Sequence, residues 1–148
     1  MRVRQVWHAG SSHVSPCTTL AGMTSRHTAK ADAVAAALEP LRAYMRGHAT
    51  GDPVHFRGAF LPTAHIEGIR DGGFVSWPLD EYCALFPGRP APDEPSRSRR
   101  IDAIDVRGTV ATATMTLSHG TETFTDVFLL VRAGDGWRIA NKAYHRHS

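Results

Sequence analysis

Asp126 lies inside the run Phe124-Thr-Asp126-Val-Phe-Leu-Leu-Val131, a carboxylate in an apolar segment that leads into the hairpin Ala-Gly-Asp-Gly136-Trp137. A bare charge in such a setting costs several kcal/mol, so Asp126 must be hydrogen-bonded, paired or neutralised. By period-two alternation it shares a strand face with Phe124, Phe128 and Leu130. If that face lines a pocket, desolvation makes Asp126 a hydrogen-bond donor or general acid. The alternative is that it accepts bonds from a neighbouring strand's Thr or from Lys142 and only ties the sheet together. Tyr44 and His48 are spaced i, i+4 and can form a hydrogen-bonded pair at a pocket mouth, with His48 a candidate general base. Lys142 and Tyr144 have the opposite parity from Trp137 and Ile139, and face inward only if the last strand contains a bulge.

These residues must be carried by elements that the sequence marks out. From Lys30 to His48 an Ala-rich helix carries Val34, Leu38, Leu41, Met45 and His48 on one face, with Pro40 kinking it or dividing it in two. Asp52-Pro53 opens a short helix over Val54 to Phe60, because Asp caps well and Pro suits the first helical position. Thr63 to Ile69 and Phe74 to Trp77 form a hairpin around Asp71-Gly72-Gly73, and Pro78 to Phe86 is a third helix buried through Leu79, Tyr82, Cys83 and Phe86. Pro87 to Ser98 contains four prolines and reads as a loop. Four long strands follow, at about 99–107, 109–118, 121–132 and 136–145, and their short connections make neighbouring pairs antiparallel. The class is α+β: a curved antiparallel sheet wrapped around three helices, leaving a cone open at one end.

Composition bounds the function. The 148 residues, 42% hydrophobic and 21% charged, suffice for one core without disulfides or metal. Cys17 and Cys83 are far apart and form neither a disulfide framework nor a zinc motif, which fits a reducing cytoplasm. The formal charge of +3 comes from Arg2, Arg4 and Arg26; removing those three from seventeen basic residues leaves fourteen of each sign in 27–148. A nucleic-acid role loses its support, and the Arg97, Arg99, Arg100 cluster reads as a solvated rim. Residues 1–29 lack periodicity and a secretory apolar run, and are expected to be a disordered tail before a domain over 30–148, with Met23 a candidate functional start. No window spans a membrane. His145-Arg-His147 lacks further ligands for a metal and reads as a solvated tail; no metal or cofactor is expected.

The words Tyr44-Met-Arg-Gly-His-Ala-Thr-Gly51-Asp52, Phe60-Leu-Pro-Thr-Ala64-His-Ile66 and Phe124-Thr-Asp126 with Gly136-Trp137-Arg-Ile139 and Lys142, in this order, resemble the nuclear transport factor 2-like superfamily. The resemblance covers Ala31 to Arg146 and is strongest to its SnoaL-like and "putative lumazine-binding" members. It implies the cone-shaped, cystatin-like fold, but no single activity, because this superfold holds isomerases, dehydratases, cyclases, hydrolases and non-catalytic binders. In ketosteroid isomerase, a member, the oxyanion-hole tyrosine stands eight residues before the aspartate of a Gly-Asp pair, as Tyr44 stands before Asp52. Its second oxyanion donor is a protonated aspartate on a late strand, comparable to Asp126. Its general base stands two residues after a hydrophobic residue of the first strand, where this chain has Gly68 after Ile66. The resemblance therefore implies a binder of a small hydrophobic or aromatic molecule, with Phe60, Ile66, Trp77, Tyr82, Phe86, Phe124, Phe128, Lys142 and Tyr144 as ligand contacts and a homodimer through the sheet face. The alternative is a cofactor-free isomerase, cyclase or dehydratase in which Asp126 and Tyr44 polarise a carbonyl and His48 or a water is the base.

Overall fold

The computed structural model describes residues 19–148, and the expectation for the tail before Thr19 lies outside the described residues. Helix α1 (Thr19–Thr50) begins eleven residues earlier than its periodicity indicates, so 19–29 is helix rather than tail. It also runs through Pro40 without a break. One missing N–H and a crowded carbonyl are tolerated because the residues around the proline, Ala37 and Leu41, are fully buried against the rest of the fold. The buried face of α1 is Ala37, Leu41 and Tyr44, one position round from the expected stripe, and Val34, Leu38 and Met45 are only half-buried.

Helix α2 (Val54–Ala59) leads into strands β1 (His65–Arg70) and β2 (Gly73–Pro78), and a short α3 (Leu79–Cys83) follows. The β1–β2 turn uses Asp71 and Gly72, both with positive φ, a conformation that Asp and Gly tolerate best. After a loop with a single 3-10 turn at Glu94–Ser96 come β3 (Ser98–Arg107), β4 (Val110–His119), β5 (Glu122–Ala133) and β6 (Gly136–His147). The six strands form one sheet in the order β2-β1-β6-β5-β4-β3. Every adjacent pair is antiparallel except β1 and β6, which run parallel over Ile66 to Gly68 against Lys142 to Tyr144.

Two irregularities bend the sheet. On β3 the register shifts between Ile101 and Ala103, and on the β5–β6 ladder Leu129 faces Asn141 whereas Leu130 faces Ile139. Ala140 is thus an extra residue on β6. A bulge of this kind raises local twist and reverses the parity of the residues beyond it, so Trp137 and Ile139 face inward on one side of it and Lys142 on the other. The inner face of the sheet, with Ala111, Ala113, Met115 and Leu117 from β4 and Phe128 and Leu130 from β5, packs on the buried face of the helices to form the core.

Candidate functional site

Asp126, on the inner face of β5, is 1% exposed. Two donors meet its Oδ2: the Tyr44 hydroxyl from α1 at 2.6 Å and the Lys142 ammonium from β6 at 2.9 Å. Lys142 also donates to the Tyr44 oxygen at 2.8 Å, closing a triangle. Asp126 is therefore an acceptor in this structure and part of a buried ion pair, not the donor that the late-strand position suggested. Lys142 sits beside the Tyr44, Tyr82 and Tyr144 rings, 5.1 to 5.6 Å from their centroids, which adds attraction from their π faces. Burial pulls the Lys142 ammonium down from its ordinary value, and the Asp126 carboxylate opposes that shift. The Tyr44 hydroxyl is pushed well above its ordinary value by burial and then by the Asp126 charge, so it stays protonated and donating.

Tyr82, from α3, continues the network. Its hydroxyl lies 3.0 Å from His48 Nε2 and 3.5 Å from the Tyr44 oxygen. Tyr44 and His48 do not make the expected direct hydrogen bond; their rings meet edge to face at 4.7 Å and Tyr82 joins them. One helical turn brings the two rings together, but the Tyr44 hydroxyl is already committed to Asp126. Burial, and after it the Lys142 charge, holds His48 well below its ordinary value, leaving a neutral imidazole.

This network closes one part of a cavity of about 260 Å³. Ile66, Trp77, Tyr82, Phe124, Lys142 and Tyr144 line it together with Tyr44, His48 and Asp126. Phe60 and Phe128 do not: both are 1% exposed within the core. Phe86 is also absent from the wall, because its ring packs on Phe56 at 4.4 Å and on Tyr82 at 5.2 Å. The wall further includes Leu117, His119 and Glu122 around the β4–β5 turn, Ile69 and Arg70 from β1, and Arg146 from β6. These were not singled out by sequence, since each lies at a strand end where alternation is weak and the turn signal His119-Gly120 dominates. Among the described residues no group of three or more His, Cys, Asp or Glu is placed to hold a metal, and His145 and His147 are exposed on β6.

Gly68 is the position that the resemblance to ketosteroid isomerase sets against a general base. A Cβ at this position would lie 2.6 Å from the Tyr144 ring, so the aromatic ring occupies the space a side chain would need. Tyr144 lies nearly parallel to Trp77, with an interplanar angle of 10° and centroids 6.2 Å apart.

A family model described as "Putative lumazine-binding" matches residues 32–145. The chain belongs to this family. Its fold is nuclear transport factor 2-like, with the cystatin-like arrangement that solved structures of this kind share. A nuclear transport factor 2-like protein of unknown function from Methylobacillus flagellatus KT is 29% identical, with a TM-score of 0.69 over 79% of this chain and 94% of that one. Another of unknown function, from Shewanella baltica OS155, is 26% identical, with a TM-score of 0.68 over 88% of this chain and 98% of that one. A third, from Silicibacter pomeroyi DSS-3, at 21% identity and a TM-score of 0.69 over 84% and 98% of the two chains, supports the fold alone. No curated protein matches the chain. In this nuclear transport factor 2-like domain no helix among the described residues is long and apolar enough to cross a membrane.

Proposed function

We propose that the chain binds a small, largely hydrophobic or aromatic molecule inside the cone and does not transform it. The supporting observation is the cavity itself: aromatic walls from Trp77, Phe124 and Tyr144 end on a polar cluster whose charges are already balanced by Lys142 and Asp126. Concave, mostly apolar sites with a few convergent polar groups are the usual form of small-molecule sites. A thermal-shift screen with steroids, polyketide-like aromatics and flavin precursors, lumazine included, tests this, because a ligand selective for the folded chain raises its melting temperature. A flat response across the screen would favour an interaction role and overturn the reading.

A second reading, a cofactor-free isomerase, cyclase or dehydratase, draws on the neutral His48 imidazole in the cavity wall, a fit state for a general base. Against it stand Gly68 beneath the Tyr144 ring and the engagement of Asp126 as an acceptor of two bonds. Hydrogen–deuterium exchange at the α-carbon of a bound ketone, lost on His48→Ala, would favour this reading over simple binding.

The outer face of the sheet carries Val110, Val127 and Leu129, each nearly half exposed, and is the surface we assign to homodimer formation. Light scattering that finds only monomer removes that assignment. A reducing cytoplasm suits Cys83, which is buried and free.

A further inference from the structure

Of the seventeen lysines and arginines in the chain only two, Lys30 and Lys142, are lysine. Lys30 is exposed on α1, whereas the Lys142 side chain is 5% exposed. Arginine is the usual cation for a buried ion pair, because its planar fork takes both oxygens of a carboxylate. Lys142 instead meets Asp126 through the single oxygen Oδ2. What a lysine supplies and an arginine does not is a primary amine that can give up its proton. In a chain that otherwise relies on arginine, the one buried lysine therefore stands where an amine is enclosed.

The enclosure is the cavity. Lys142 belongs to its wall, and so do the four residues that engage the Lys142 Nζ: Tyr44, Tyr82, Asp126 and Tyr144. Beside them Ile66, Trp77 and Phe124 provide apolar wall for the body of a ligand. Burial draws the ammonium toward its neutral form, and Asp126, which opposes this, is also the group placed to receive the proton, 2.9 Å from Nζ. A desolvated lysine of this kind is an activated nucleophile toward carbonyl carbon.

We propose that Lys142 captures an aldehyde with an apolar aromatic or conjugated body and holds it as a reversible Schiff base beside Asp126. The ammonium passes one proton to Asp126, and the amine, turning about the Cε–Nζ bond, directs its lone pair at the carbonyl carbon. The C–N bond forms as the carbonyl π bond breaks, and a second proton moves from nitrogen to the new alkoxide to give a neutral carbinolamine. Asp126 then returns its proton to that hydroxyl, the C–O bond breaks, and water leaves. The product iminium keeps one N–H and one positive charge, so its pairing with the Asp126 carboxylate is restored and the three tyrosine rings face a cation as before. An aldehyde suits the site better than a ketone, because Nζ is closely surrounded and a carbinolamine carbon bearing hydrogen is the less crowded. This rests on the small-molecule reading above and deepens it with a ligand class and a bonding mode; hydrolysis of the imine returns the aldehyde unchanged.

The test incubates the wild-type chain at neutral pH with benzaldehyde or cinnamaldehyde, reduces the imine with cyanoborohydride, and assigns the adduct by peptide mass mapping. Lys30 is the exposed control within the same molecule. Lys142 is expected to be labelled at least about tenfold faster than Lys30 in the folded chain, and at a similar rate in concentrated urea, where both amines regain their ordinary values. Without reductant, bound cinnamaldehyde should absorb at longer wavelength, as a protonated imine does. Lys142→Arg keeps the cation but lacks the primary amine, and should lose the absorption shift and the adduct. Its melting temperature without ligand shows whether it is folded, and if it is not, the comparison of folded with urea-unfolded wild type decides. Equal labelling of the two lysines in the folded chain, or a preference for Lys142 that persists in urea, would overturn the proposal. If neither aldehyde labels Lys142 while cinnamyl alcohol or another member of the broader screen raises the melting temperature, covalent capture falls and the small-molecule reading stands. If no compound does either, both fall.

Discussion

Lys142 Nζ lies 2.9 Å from Asp126 Oδ2, on diagonal neighbours of the β5–β6 ladder that share the inner face only because Ala140 is an extra residue on β6. Without that bulge Lys142 would keep the outward parity set by Trp137 and Ile139, and Asp126 would be a buried carboxylate with Tyr44 as its only strong donor. Removing one partner of a buried pair leaves an uncompensated charge, at a cost of about 3–5 kcal/mol. Lys142→Met is expected to lose stability on that scale in a urea melt, and adding Asp126→Leu should recover much of it. A loss below about 1 kcal/mol for the single variant would mean that Asp126 has another neutralising route.

Tyr44→Phe removes one donor to the same carboxylate but leaves the Lys142 bond in place. Its expected cost is about 1.5–3 kcal/mol, the range for a hydrogen bond to a charged group, and smaller than that of Lys142→Met. The order of the two midpoints at equal slope checks this; the reverse order would assign the main support of Asp126 to Tyr44.

Gly68→Ala places a methyl where the Tyr144 ring now lies, 2.6 Å from its nearest ring carbon. The ring must swing away, and since Tyr144 lines the cavity, the variant should lose about 1–3 kcal/mol of stability. It should also bind more weakly any molecule that raises the melting temperature of the wild type. Unchanged binding would show that Tyr144 is not a contact surface.

Stability should fall with acidification in a window set by the histidines. His119 has an ordinary value of 6.5 and lies at about 4 in the fold, and His48 is shifted in the same direction. Between those values the unfolded chain binds more protons than the folded one, so stability is fully present above about 6.5 and is lost as pH falls toward 4. Arg97 and Arg99 lower His119, Glu94 and Asp126 raise it, and Asp93 and the His48 ring, 5.4 Å away, also interact with it electrostatically. Melting temperatures from pH 7.5 to 4.5 should decline in the wild type and decline less in His119→Leu. Parallel curves for the two proteins would contradict this assignment of the proton uptake.

The strand run from Ser98 to His147 was legible because local alternation and glycine turns set it, and the same alternation put Asp126 on one face with Phe128 and Leu130, which the packing makes the inner face. The bulge that turns Lys142 and Tyr144 inward could be stated as a condition but not located, since an extra residue shows only against a partner strand. The rotation of α1 by one position was hidden because the polar Tyr44 hydroxyl is buried for the sake of Asp126, eighty-two residues away.

What the sequence determined by itself is local: helix, hairpin and strand order, the missing carboxylate at Gly68, and the oddity of a lone aspartate among apolar residues. What only the tertiary structure decided is non-local. The parallel pairing of β1 with β6 sets Gly68 beside Tyr144, and the convergence of α1, β5 and β6 turns Asp126 from a possible donor into a paired acceptor. A residue's type fixes which bonds it can make, but its partners come from distant chain segments, and in a low-dielectric interior those partners decide its charge and its role.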